Sequence, residues 1–98
     1  MDTTLDVFNQ ISVRIIKEQE AIIGSLAWAE AAKVPGLEVV KGDKPSVNIK
    51  SDNPKDVINA LVNRYESLFG RLSRDVSKQA VSDLTADIPV EDIPTSLK

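Results

Sequence analysis

The sequence predicts an α+β fold: a long amphipathic helix broken near Gly24, a β-hairpin, and a second long amphipathic helix, in a chain expected to form homo-oligomers. Three observations predict it. Apolar residues recur at three- and four-residue steps from Leu5 to Leu26 and again from Val57 to Ala80. Between these stretches, two short β-branched segments flank a run of turn residues. Helical steps mark one buried stripe on a helix, and paired short apolar segments around a turn mark a hairpin.

The first helix is expected to start after Asp2, Thr3 or Thr4, whose side-chain oxygens can cap it. Leu5, Phe8, Ile11, Ile15, Ile16, Ile22, Ile23 and Leu26 form its stripe, with Asp6, Gln10, Arg14, Lys17 and Glu20 opposite. Past Gly24 the register fails. A straight helix would turn Trp28 away from the stripe and bring Glu30 and Lys33 onto it. A break at Gly24-Ser25, with Ser25 capping a short alanine-rich helix to about Lys33, restores the pattern. Val34-Pro35-Gly36 then stops it.

Residues 37–40 and 46–50 read as strands joined through Lys41-Gly42-Asp43-Lys44-Pro45. Ser51-Asp52-Asn53-Pro54 starts the second long helix, with proline at the first helical position, where its missing N–H is harmless. Val57, Ile58, Leu61, Val62, Tyr65, Leu68, Phe69, Leu72, Val76 and Ala80 then span about 140° of the helical wheel. Gly70 falls on the polar side, where it costs about 1 kcal/mol relative to alanine and permits a kink. Asp83 would return to the apolar face, so the helix is expected to end near it. Residues 1–85 form one helix–hairpin–helix domain on this reading. Residues 86–98 form an acidic tail whose repeated Asp-Ile-Pro excludes regular helix, so it is expected to be loosely held or disordered and dispensable for folding.

Composition narrows the function. The 98 residues suit one domain with a modest core. No apolar run approaches the roughly 18 residues of a membrane span, and the acidic, polar start does not resemble an export signal. A cysteine-free chain fits the cytoplasm. The net charge of −3 resides in residues 79–98, leaving residues 1–78 neutral, so nucleic acid is not an expected partner. Histidine and cysteine are both missing, and with them the usual general base, thiol nucleophile and metal ligands. The nine serines lie in no nucleophile-elbow setting, and the four glycines form no phosphate loop. No enzyme activity, cofactor or metal is expected.

Two residue sets remain. Phe8, Ser12, Ile15, Gln19, Ile22 and Trp28 are candidates for an interface. Ser12 and Gln19 lie seven residues apart in the apolar stripe, where polar groups can set register or oligomer number or else mark a half-exposed edge. Trp28 suits either the core or an interface anchor. Arg64, Arg71, Arg74 and Lys78 cluster within about 80° on the far side of the last helix, as an anion-binding or nucleic-acid-binding face or as a solvated one. Within it, residues 72–81 resemble the recognition helix of a helix-turn-helix protein, with Ser73 as cap. Gly70 stands one residue early for the usual turn, no second hairpin follows as a wing, and the apolar stripe crosses the supposed turn in phase.

The expected function is that of a small cytoplasmic, non-enzymatic interaction module, a homodimer or larger assembly able to adapt another protein. The alternatives are a helix-turn-helix-like DNA-binding regulator and a small-ligand sensor with an apolar pocket.

Overall fold

The computed structural model describes residues 3–40, 45–86 and 88–97. Among these described residues, five α-helices and one hairpin follow in order: α1 (Thr3–Ile23), α2 (Leu26–Ala31), β1 (Leu37–Val40), β2 (Ser46–Ile49), α3 (Pro54–Phe69), α4 (Arg71–Ala80) and α5 (Ser82–Thr85). Two 3-10 turns, Val90–Asp92 and Thr95–Leu97, follow α5.

The first helix runs through the middle of the molecule and touches α2, α3, α4 and β2. Its apolar stripe supplies Phe8, Ile11, Ile15 and Ile16 to the core, which α3 closes with Val57, Ile58, Leu61, Val62 and Tyr65. The expected break falls in place: α1 ends at Ile23 and Gly24 takes φ +73. This turn lets Ala27, Trp28 and Ala31 of α2 face inward. Glu30, expected to leave the buried face at the break, is buried with them, because Arg64 and Lys33 neutralise its carboxylate. Ser25 stands at the N-cap position of α2 without a side-chain capping bond.

The hairpin is antiparallel, with Leu37 opposite Ile49 and Val39 opposite Val47. Those four side chains share the face turned to the core, while Glu38 and Asn48 form the outward pair. The expected turn residues 41–44 lie outside the described residues. The edge of β2 is tied to α1, since the Ile49 N–H donates to Asn9 Oδ1 at 3.0 Å.

The second long helix of the sequence reading is two helices. Gly70 takes φ +94 and ψ 176, ending α3 and turning the chain into α4. Such backbone angles are open essentially to glycine alone. The turn changes which face is buried. Ser73, Ser77 and Val81 point inward instead of the Leu72–Val76 row, while Leu68 and Leu72 are 50% and 72% exposed. On a helical wheel the buried face of α4 lies about 100° from the stripe that α3 would have continued.

The tail also differs from the loose or disordered segment expected from its prolines. Prolines bar α-helix but not 3-10 turns, and the turn Thr95–Leu97 packs on α3 and α4. Leu97 belongs to the core cluster, Pro94 is fully buried, and Ile88 and Ile93 pack against the same cluster. The hydroxyl of Ser96 donates to Asn59 Oδ1 at 2.7 Å, and its N–H to the same oxygen at 3.0 Å.

Candidate interaction surface

Helices α1 and α4 run antiparallel, as their polar contacts require. Near the end of α1, Gln19 Nε2 donates to the Ser73 carbonyl at 2.9 Å and to Ser77 Oγ at 3.3 Å. Earlier in α1, Arg14 Nη1 reaches the Ala80 carbonyl and the Asp83 carboxylate, each at 3.3 Å. Ser77 Oγ in turn donates to the Ser73 carbonyl at 2.9 Å. Gln19, Ser73 and Ser77 are buried, so this helix pair meets along a polar seam. The Gln19 Oε1 atom has no hydrogen-bond partner in it. An unpaired buried carbonyl is costly, which makes the seam a weak point of the fold.

The candidate interface residues of α1 and α2 are mostly inside this single chain. Phe8, Ser12, Ile15, Gln19 and Trp28 are buried, and only Ile22 is open, at 61% exposure. Ser12 lies in the Gln19 row and donates back to the Phe8 carbonyl at 3.0 Å. Trp28 Nε1 donates to Glu20 Oε2 at 2.9 Å, which fixes the indole against the end of α1. The cover over Gln19 therefore comes from α4 of the same chain.

At one end of the molecule the two glycine bends sit together. Ile22 is one turn beyond Gln19, and Leu72 directly precedes Ser73, so the Gln19–Ser73 bond places both at this end. On the α2–α3 side, Tyr65 Oη donates to the Ala27 carbonyl at 2.6 Å. That bond draws Leu26 and Leu68, each next to or one turn from the bonded residues, toward the same end. Ile22, Leu26, Leu68 and Leu72 are all half-exposed or more. Ile23 and Phe69, next to Ile22 and Leu68 in the chain, are partly buried against the core. The four together expose on the order of 400 Å² of apolar surface, within the range of a monomer's largest and often functional patch. Sequence reasoning placed Leu68 and Leu72 on the buried stripe because their row is in phase with α3, and nothing but Gly70 signals otherwise.

Two of the four basic residues are engaged. Arg64 Nη2 lies 3.3 Å from Glu30 Oε2, a carboxylate whose side chain is 8% exposed, and Lys33 approaches the same oxygen at 3.4 Å. Arg74 pairs with Glu66 at 3.6 Å and donates through Nε to the Ser96 carbonyl at 3.4 Å. Arg71 is exposed and Lys78 half-buried. Near the Glu30 cluster, burial and then the Glu30 charge push the Tyr65 hydroxyl well above its ordinary pKa of 10.0. This hydroxyl stays protonated and serves as a donor.

Two open grooves flank α1. One, of about 490 Å³, runs between α1 and α4 and is lined by Arg14, Glu18, Ile22, Val76 and Asp83 among others. The other, of about 380 Å³, lies between α1 and β2 beside Asn9, Val13, Lys17 and Val47. Among the described residues, no three or more acidic side chains gather where a metal ion could sit, and no helix is long and apolar enough to cross a membrane. Comparison with family models, with curated proteins and with solved structures finds no match to this chain.

Proposed function

We propose that this chain is a small non-enzymatic interaction module of the cytoplasm that associates with itself through the apolar corner formed by Ile22, Leu26, Leu68 and Leu72. The observation that carries the reading is four large aliphatic side chains, each about half or more exposed, on the helix ends that the Gln19–Ser73 and Tyr65–Ala27 bonds draw to one end of the molecule. Its rim supports self-pairing, because Glu18 and the exposed Arg71 offer opposite charges to a two-fold related copy. An interface built on about 400 Å² from each copy falls below the standard size of stable complexes, so the dimer is a weak one, forming in the micromolar range or above.

The alternatives draw less support. Arg64 and Arg74, half of the basic set, already neutralise Glu30 and Glu66 and are poorly placed for phosphates. The grooves beside α1 are open and partly charged, unlike an enclosed apolar ligand pocket.

Leu72→Glu tests the reading. Leu72 is 72% exposed, so its replacement should change stability by no more than about 0.5 kcal/mol. It should weaken self-association at least tenfold in sedimentation equilibrium, because it sets like charges against each other across the two-fold axis. Unchanged association with intact folding would refute the role of the corner.

A further inference from the structure

We propose that residues 71–97 exchange between two copies of this chain, with Gly70 as the hinge, so that α4 of each copy packs on α1 of the other. The inference deepens the self-association proposed above and rests on it. Four observations lead to it.

The first is the hinge. A single residue separates α3 from α4, and its φ of +94 lies far from helical values. A Cβ at Gly70 would meet no neighbour within 4 Å, so the bend is held by backbone conformation and not by packing around the glycine.

The second is the phase of the sequence. Across Gly70 the row Tyr65, Leu68, Phe69, Leu72 and Val76 continues without a shift when the helix is drawn straight. The bend discards that agreement, exposing Leu68 and Leu72 and burying Ser73 and Ser77. A straight α3–α4 helix recovers it.

The third is where the contacts of residues 71–97 go. They dock through Ser73 and Ser77 on Gln19, through Ala80 and Asp83 on Arg14, and through Ser96 on Asn59. Every one of these joins a residue after the hinge to a residue before it. All can therefore re-form between two copies, while the Arg74–Ser96 contact travels inside the exchanged unit. Exchange then adds what the closed monomer lacks, since Leu68 and Leu72 lie at the hinge, where two crossing straight helices meet.

The fourth is the seam itself. Its polar side chains and the unpartnered Gln19 Oε1 make separation of α4 from α1 less costly than opening an apolar interface.

The chain has no cysteine, so a variant carrying Arg14→Cys and Asp83→Cys has one unique thiol pair, one on α1 and one on α5, facing each other across the docked unit. Dimers isolated by size exclusion are treated with a short bis-maleimide and run under denaturing conditions. Exchanged dimers yield covalently joined dimers. Dimers docked through the corner without exchange yield only internally linked monomers, which would overturn the exchange and leave the self-association standing. Gly70→Ala, placed in the same background, strains the bend and favours continuous helix. It should raise the dimer constant at least tenfold per hinge, or about a hundredfold for two hinges. A folded Gly70→Ala chain that remains monomeric where the parent is monomeric would overturn the exchange. If that variant does not fold, the cross-linking pattern of the parent dimer decides. Absence of any dimer in both chains would sink the exchange and the self-association together.

Discussion

Gln19→Leu should stabilise this protein, against the usual result of removing a buried hydrogen-bonding side chain. Gln19 is fully buried, its Nε2 serves two acceptors, and its Oε1 serves none. Leucine is close in size, so neither a cavity nor overpacking should follow. Replacing the amide relieves the unpaired carbonyl, worth about 1–3 kcal/mol, and adds apolar burial. Against this stands the loss of two donated bonds of roughly 0.5–1.5 kcal/mol each. That loss is softened because the Ser73 carbonyl keeps its bond from Ser77 Oγ at 2.9 Å. The balance is a gain of about 1 kcal/mol, or a rise in Tm of roughly 4–8 °C for a domain of this size. Urea unfolding followed by circular dichroism, with calorimetry for Tm, measures it. A loss of more than about 1 kcal/mol would mean instead that the seam's donor bonds outweigh its orphan carbonyl. Gln19→Glu is the counterpart: a carboxylate there should destabilise the fold at neutral pH and recover on acidification, as protonation removes the buried charge.

Further outcomes follow from the packing. Leu97→Ala should cost about 2–4 kcal/mol, because Leu97 is a core residue, and truncation after Thr85 should cost more; both are read from urea midpoints. Tyr65→Phe should cost about 1 kcal/mol by stripping the Ala27 carbonyl of its donor. The same tyrosine predicts alkaline sensitivity. Its folded pKa lies above the unfolded value, so its contribution is complete below about pH 10 and falls as pH rises beyond, which ultraviolet titration of this single tyrosine alongside Tm would show. Glu30→Gln should cost about 1–2 kcal/mol, less than a fully buried pair, because Arg64 is about one-third exposed and partly screened.

What the sequence made legible was local. The failure of register after Gly24 located the first bend through Trp28, although Glu30, expected to leave the buried face there, stays buried and is paired with Arg64 and Lys33. Pro54 marked the start of α3, and the paired β-branched segments marked the hairpin. Gly70 was harder, because the apolar row passes it in phase and a glycine on the polar side looks like a tolerated defect. Periodicity also identifies a face without naming what covers it. Ser12 and Gln19 were recognisable as polar positions in an apolar row, yet the cover over Gln19, a serine face on α4 of the same chain, has no periodic signature. The apolar corner was illegible for the same reason: Leu68 and Leu72 become surface residues only after the bend rotates α4. In the tail, prolines ruled out α-helix, but docking of Leu97 depends on a surface assembled by α3 and α4 together.

The measurement that bears most directly on the central claim is sedimentation equilibrium of the unmodified chain from about 5 to 500 μM. The corner exposes enough apolar surface for a weak two-fold dimer. Its apparent mass should therefore rise with concentration from 10.7 kDa toward twice that value. A single 10.7 kDa species across the whole range would contradict the account.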